Sequence, residues 1–166
     1  MRDQDQSSRG PHLTWAESRF GETTIIPGGA PVRIKVSGLD TGAGLSVFAY
    51  EGKAPGGPPL HVHEAQDEIY IVLKGRYLFE LGGERRLVEA GGSIFLPRGV
   101  PHSFAQLGDE GEMVFMFTPA GRMEDYFRAL AALEGPPAPE AAAALFADHG
   151  MRLVGPPISL DAQAVP

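Results

Sequence analysis

The stretch HVHEAQDE, residues 61–68, sets two histidines and a glutamate at a spacing typical of neighbouring β-strands. Residues i and i+2 of a strand point to the same face, so His61 and His63 can present their imidazoles side by side. The polar residues 64–67 are too few for a helix and suit a hairpin turn. Such a turn would bring Glu68 onto the adjoining strand, where it adds an anionic oxygen.

A second stretch, GGSIFLPRGVPH at residues 91–102, ends in a third histidine. Proline and glycine within residues 97–101 mark a turn just before a new strand, so His102 can arrive from elsewhere in the sheet. Three imidazole nitrogens and one carboxylate oxygen suit a divalent first-row ion such as iron, manganese, nickel, cobalt, copper or zinc. The two stretches together predict one divalent transition metal ion per chain, of unspecified identity.

The two stretches resemble the paired motifs of the cupin superfamily. The first motif is glycine, five residues, His-x-His, three or four residues, Glu, six residues, Gly; the second is glycine, five residues, Pro-x-Gly, two residues, His, three residues, Asn. The sequence departs from these motifs at two positions. In the first motif, Gly56 lies one residue closer to His61 than the pattern requires, and in the second, Gln106 replaces the final asparagine. The resemblance implies four metal ligands: His61, His63, Glu68 and His102.

The remaining two histidines have other expected roles. His149 precedes Gly150 at the end of an alanine-rich run, where a cation favours a helix C-terminus, so we expect it to cap a helix. His12 is expected to lie in a polar, mobile leader.

Composition indicates one soluble domain. A chain of 166 residues with 43% apolar residues can fill one core of ordinary size. The net charge of −7 opposes nucleic-acid binding, which needs a basic face. The chain has no cysteine, which excludes disulfides and thiolate ligands, and no apolar run approaches the roughly 20 residues of a membrane helix. With no membrane and no signal peptide predicted, a cytoplasmic location is the expectation.

Glycine and proline separate many short apolar runs, as in all-β proteins. This density of short strands predicts an all-β jelly-roll barrel, which is also the cupin double-stranded β-helix that the resemblance implies. We expect a disordered leader over residues 1–11, the barrel with its N-terminal strands over 12–118, and a helical segment with a tail over 119–166. The predicted strands are 23–26, 32–36, 45–50, 60–63, 68–73, 77–81, 86–88, 93–96, 102–107 and 113–117.

Two helices are predicted after the barrel. Apolar residues at i, i+3, i+4 and i+7 form the stripe of an amphipathic helix, which comprises Met123, Tyr126, Phe127 and Leu130. A second helix is expected to begin at Pro139, well suited to a first helical position, and to end at Gly150.

Strand parity predicts which side chains line the barrel interior. If Glu68 faces the metal, Tyr70 faces the same interior, while Ile69 and Ile71 face outward and need a second layer, either the helices or a partner subunit. The same rule on the other strands predicts an aromatic pocket around the metal. Its expected substrate-binding walls are Tyr70, Tyr77, Phe79, Phe104, Gln106 and Phe115; Gln106 could instead orient a histidine.

The segments 117–127 and 147–157 resemble the corresponding parts of small single-domain cupins similar to quercetin 2,3-dioxygenases. This resemblance implies a homodimer and a metal-dependent dioxygenase that acts on an enol- or flavonol-like aromatic, with Glu68 as both ligand and catalytic base. Two alternatives stay open because the fold hosts many functions. One is a non-redox isomerase or cyclase in which the metal stabilises an enolate, and the other is a non-catalytic protein that binds a small molecule.

Overall fold

The computed structural model of the protein describes residues 10–161 of the chain. These residues form eleven strands and two helices. Of the predicted leader, only Gly10 and Pro11 are described, and both are exposed; residues 1–9 and 162–166 lie outside the described residues. In chain order the elements are β1 (Thr24–Ile26), β2 (Ala30–Val36), β3 (Ser46–Gly52), β4 (Pro59–His63), β5 (Asp67–Lys74), β6 (Arg76–Leu81), β7 (Glu84–Glu89), β8 (Ser93–Leu96), β9 (His102–Gln106), β10 (Gly111–Thr118), α1 (Met123–Ala131), α2 (Pro139–Asp148) and β11 (Met151–Pro157).

The strands form two antiparallel sheets that pack face to face. The six-stranded sheet has the order β1-β2-β3-β10-β5-β8, and the five-stranded sheet has the order β11-β4-β9-β6-β7. From β3 to β10 the chain passes repeatedly from one sheet to the other. Aromatic side chains of both sheets meet between them; for example, the ring centroids of Tyr70 and Phe79 are 5.2 Å apart. This arrangement confirms the predicted jelly roll.

Strand parity positions the interior side chains as the sequence predicts. On β5, Glu68, Tyr70 and Val72 are buried, whereas Ile69 and Ile71 point to the opposite face. Ile71 is 37% exposed, so the terminal helices do not supply the second layer over this face. The predicted homodimer stays a prediction.

In the five-stranded sheet, β6 and β9 are buried on both faces. Leu78 and Ala105 point away from the barrel interior, yet both are fully buried because they pack with Ile158, which follows β11. The chain after the helices thus returns over the outer face of this sheet. This cover explains why β6 and β9 carry apolar residues at successive positions.

The two helices lie where they are predicted. Helix α1 presents its apolar stripe to the barrel, with Met123 and Tyr126 buried. Helix α2 starts with Pro139 and ends at Asp148, and His149 is its C-terminal cap. Gly150 then adopts a φ of +79°, a left-handed conformation that glycine takes without strain. Neither helix in residues 10–161 has the length and apolar character to span a membrane.

Strand β11 is the element that the sequence reading missed. It pairs antiparallel with β4, with Met151 opposite His63 and Leu153 opposite His61. Because β9 pairs with the other side of β4, the strand with the two histidines is held from both sides. The sequence of β11 ends in Gly155, Pro156 and Pro157, which is typical of an edge strand and hides the alternating pattern.

Candidate metal centre

The structure brings together the four predicted ligand side chains, which we call the donor cluster: His61, His63, Glu68 and His102. His61 and His63 come from β4, Glu68 from β5 of the facing sheet, and His102 from β9, where it lies directly opposite His61. One potential ligand atom from each residue lies within 4.8 Å of those of the other three. The cluster therefore spans both sheets, and its geometry depends on how they pack.

All four side chains of the donor cluster are buried, with exposures between 1% and 7%. Burial lowers the pKa of His61 to about 3, and the neighbouring His102 and His63 act in the same direction. Burial also lowers the pKa of His63. For Glu68, burial raises the pKa, but the three surrounding histidines outweigh this effect and the pKa is lowered overall. At neutral pH His61 and His63 are therefore neutral and Glu68 is a carboxylate, which are the protonation states that metal binding requires.

Backbone contacts fix the tautomers of two histidines. His61 Nδ1 lies 2.8 Å from the carbonyl oxygen of Pro59, and His102 Nδ1 lies 2.9 Å from that of Val100. A carbonyl can only accept, so both Nδ1 atoms carry the proton and both Nε2 atoms keep a lone pair. Such hydrogen bonds from the distal ring nitrogen are typical of histidines that bind metals.

The lone pair of His102 Nε2 faces the Glu68 carboxylate without a donor between them. His102 Nε2 and Glu68 Oε2 are 3.2 Å apart, and His63 Nε2 is 3.5 Å from the same oxygen. Among the described residues, neither His102 Nε2 nor Glu68 Oε2 has a hydrogen-bond partner, although both atoms are buried. Acceptors that point at one another are satisfied by a cation placed among them. The residues therefore fit a divalent metal ion bound by three nitrogens and one oxygen.

The donor cluster borders a cavity of about 540 Å³. His61, His63 and Glu68 contribute to its wall, and most of the remaining lining is apolar. A cavity of this size can hold a drug-sized ligand. The side chains around it include Tyr50, Tyr70, Phe104, Met113, Phe115, Phe117, Met123, Tyr126, Leu130 and Phe146, with prolines such as Pro27, Pro55 and Pro136 also in the lining.

Three of the six predicted walls do line this cavity: Tyr70, Phe104 and Phe115. Tyr77, Phe79 and Gln106 do not line it. They point into the barrel as parity requires, but each is completely buried and belongs to the packed part of the interior. Strand parity predicts to which face of the sheet a side chain points, but it does not predict how far the cavity extends along the barrel.

Gln106 has internal partners that explain its position. Its Oε1 accepts a hydrogen bond of 3.1 Å from the Tyr77 hydroxyl, and its Nε2 donates one of 2.7 Å to the carbonyl oxygen of Gly108. Gly52 and Gly111 leave room for this amide, since a Cβ at either position would collide with Gln106 Oε1. The prediction that Gln106 binds substrate or orients a ligand histidine is therefore not supported by its surroundings.

The helices supply cavity residues that the sequence reading did not assign to the site. Tyr126 and Met123 of α1 and Phe146 of α2 line the cavity. The Phe146 ring packs edge-on to His61 at 5.5 Å, and burial together with the Glu68 charge raises the pKa of Tyr126. The apolar stripe of α1 predicts that one face of the helix is buried, but it does not predict that this face covers a cavity.

Comparison with known proteins assigns this site to a family. A family model for the cupin domain matches residues 46–119, from the start of β3 to just beyond β10. Residues 46–119 are a cupin domain. The matched part includes the entire donor cluster, whereas the two helices and β11 lie outside it.

Relatives in other organisms match parts of this chain. It is 34% identical over 55 residues to an uncharacterised protein of Streptomyces coelicolor, covering 33% of this chain and 52% of that protein. It is also 34% identical over 71 residues to quercetin 2,3-dioxygenase of Bacillus subtilis, covering 43% of this chain and 21% of that enzyme. The chain thus spans about half of the first relative and about a fifth of the second.

Solved structures share the fold. Recombinant oxalate oxidase in complex with glycolate superposes with a TM-score of 0.54 at 25% identity, covering 72% of this chain and 63% of that chain. KdgF from Halomonas sp. gives a TM-score of 0.51 at 23% identity, covering 59% of this chain and 86% of that chain. The cupin family thus includes enzymes.

Proposed function

We propose that this cupin is a metal-dependent dioxygenase that cleaves an enol- or flavonol-like aromatic small molecule. The observation that carries the proposal is a buried cluster of three imidazoles and one carboxylate that borders a large, mainly apolar cavity. The similarity to quercetin 2,3-dioxygenase over 71 residues supports the same reaction class. A catalytic metal centre differs from a structural one by keeping a coordination position open, and the cavity beside the donor cluster would give a substrate access to such a position.

His61, His63, Glu68 and His102 would hold the ion. When bound, a redox-capable divalent metal with open coordination positions would activate the substrate oxygen and dioxygen for cleavage of the ring. The protein would supply the rest: a water-poor cavity, a base and the groups that orient the substrate.

Glu68 is the base in this proposal. Its lowered pKa keeps it ionised at neutral pH, so it can accept the proton of a substrate hydroxyl. Tyr70 lies beside it, and burial and the Glu68 charge raise the pKa of this tyrosine. The phenol therefore stays protonated and can act as a hydrogen-bond donor next to the base.

The cavity favours an aromatic substrate with few polar groups. Its walls combine aromatic rings with aliphatic side chains, so the burial of a flat apolar ligand surface against them favours binding. Tyr126 reaches the cavity from α1, on a different element from Tyr70, and its neutral hydroxyl can donate a hydrogen bond to a substrate oxygen. A small dianion such as oxalate would leave most of this apolar surface without contact.

The test combines metal analysis with oxygen consumption. Purified protein reconstituted in turn with iron, manganese, nickel, cobalt, copper and zinc is given quercetin as the probe, and oxygen uptake and the loss of flavonol absorbance are recorded. We expect about one metal ion per chain and oxygen uptake with at least one redox-capable metal. Turnover that proceeds equally without oxygen would overturn the dioxygenase in favour of an isomerase or cyclase, and binding without turnover would favour a binding protein.

Replacing Tyr126 with phenylalanine tests the role of the helices. Loss of one hydrogen bond should weaken quercetin binding by about 3- to 10-fold. The metal content should not change, because Tyr126 is not in the donor cluster. Unchanged quercetin binding would remove Tyr126 from the substrate site.

A further inference from the structure

The three histidines of the donor cluster differ in how their outer ring nitrogens are held. His61 and His102 each donate from Nδ1 to the carbonyl oxygen two residues earlier in the chain. His63 also directs Nε2 toward Glu68, which leaves its Nδ1 on the far side of the ring. Within residues 10–161, that Nδ1 is buried and has no hydrogen-bond partner. One ligand histidine therefore lacks the contact that fixes its two neighbours.

A buried acceptor without a partner lies next to this ring. Gln66 belongs to the turn between β4 and β5, is only 7% exposed, and has an Oε1 atom with no partner among the described residues. Burial lowers the pKa of His63, and the Gln66 side chain acts in the opposite direction as a neighbouring hydrogen-bonding group. His63 Nδ1, which can donate, and Gln66 Oε1, which can accept, are thus two buried atoms without partners on residues that lie three apart in the chain.

The surrounding backbone makes room for the Gln66 amide. Gly121, which follows β10, has a φ of +57°, and a Cβ at this position would lie 2.3 Å from Gln66 Nε2. A side chain at residue 121 would therefore push the amide out of its position beside His63. The amide is enclosed between its own turn and the segment that leads into α1.

We propose that Gln66 is the positioning residue of His63, and that its Oε1 accepts a hydrogen bond from the protonated Nδ1 of that histidine. This bond would fix the tautomer that leaves Nε2 free and would hold the ring toward Glu68 and His102. It would also make Nε2 a stronger ligand, as acceptors at the distal nitrogen do in metal sites. The Gln66 side chain would thus accept a hydrogen bond from His63. The backbone carbonyls of Pro59 and Val100 accept the corresponding bonds from His61 and His102.

This inference rests on the metal site of the proposed function but not on its reaction, so it is tested by metal affinity. Zinc affinity is measured by competition with a chromophoric chelator, and the cobalt form is compared by its visible absorption. We expect Gln66→Met to bind zinc about 10- to 100-fold more weakly than the wild type and to alter the cobalt spectrum. Gln66→Glu, which keeps an acceptor oxygen, should restore affinity to near the wild-type value.

Gln106→Met is the matched control. It also replaces a buried amide with a thioether, but Gln106 contacts Tyr77 and Gly108 rather than the donor cluster, so zinc affinity should not change. Wild-type zinc affinity and an unchanged cobalt spectrum in Gln66→Met would overturn the proposal. So would an equal loss in Gln66→Met and Gln66→Glu, because that result would indicate a purely structural role.

A measurement on the wild-type protein covers the case in which Gln66→Met does not fold. Long-range ¹H–¹⁵N spectra of the histidine rings report which nitrogen carries the proton, with or without zinc. We expect His63 to carry it on Nδ1, like His61 and His102. A proton on Nε2 of His63 would refute the role of Gln66, even if the protein binds no metal and the proposed function fails.

Discussion

Two of the groups of buried polar side chains in the barrel interior differ in how their hydrogen-bonding atoms are satisfied. Tyr77 and Gln106 form one group, in which the hydroxyl donates to the amide oxygen and the amide nitrogen donates to a backbone carbonyl. The donor cluster forms the other, and it leaves Glu68 Oε2 and His102 Nε2 without partners among the described residues. Both groups lie on inward-facing strand positions, but only the donor cluster borders the cavity.

This difference separates a structural role from a functional one. A buried polar group that finds its partners within the protein stabilises one packing arrangement and needs nothing else. A buried set of acceptors without donors is unfavourable by itself and becomes favourable when a cation binds. Substitutions in the two groups should therefore affect different properties of the protein.

The largest effect is expected from the histidines of the donor cluster. Changing His61, His63 or His102 to alanine removes one of four ligand atoms and should reduce bound metal to below about a tenth of the wild-type content. Elemental analysis of the purified variants measures this directly. Full metal retention in all three variants would show that the cluster is not the metal site.

Glu68→Gln should separate metal binding from catalysis. The amide keeps an oxygen that can bind the ion, but it cannot accept a proton, so turnover of quercetin should fall by about 100-fold or more. Metal content and oxygen uptake are measured on the same preparation. Wild-type turnover in this variant would rule out Glu68 as the base.

The donor cluster should also make the metal-free protein sensitive to acid. The pKa of His61 is lowered to about 3 in the folded protein, chiefly by burial, whereas an unfolded histidine titrates near about 6.5. Below about pH 6.5 the unfolded chain therefore binds more protons, and the free energy of unfolding decreases as the pH falls toward about 3. Each histidine of this kind removes up to about 1.4 kcal/mol per pH unit within that window.

Urea unfolding of chelator-treated protein between about pH 7.5 and about pH 5 measures this loss. Gln106→Met is informative here, because it changes no ionisable group and should keep the same pH dependence as the wild type. A free energy of unfolding that does not change over this range would contradict the buried, neutral state of the histidines.

The smallest effect on function is expected from the other polar group. Gln106→Met leaves the Tyr77 hydroxyl without its acceptor and should lower the free energy of unfolding by about 1–3 kcal/mol. Metal content should match that of the wild type. Loss of metal in this variant would mean that the two groups are coupled and that the distinction between them is wrong.

Much of the fold follows from local patterns in the sequence. Alternating burial on β5 and β10 and the i, i+3, i+4, i+7 stripe of α1 are consequences of backbone geometry, so they can be predicted without knowing the rest of the chain. The end of α2 follows equally from Gly150. The strand β11 could not be found in this way, because its stability comes from pairing with β4 rather than from its own sequence.

The extent of the site required the tertiary structure. Tyr70 and Tyr77 both face inward, yet Tyr70 borders the cavity and Tyr77 lies in the packed interior. The difference depends on where α1 and α2 leave space between themselves and the sheets. Tyr126 and Phe146 reach the cavity for the same reason, and no local pattern links them to His61 or Glu68.

The sequence by itself determined the jelly roll and the four residues of the donor cluster, because strand parity and the spacing of two short motifs act locally. Only the tertiary structure decided which nitrogens keep a lone pair, which buried polar atoms lack partners and which side chains enclose the cavity. These properties depend on distances between atoms of different strands and helices. Such distances are set when the two sheets and the C-terminal helices pack together.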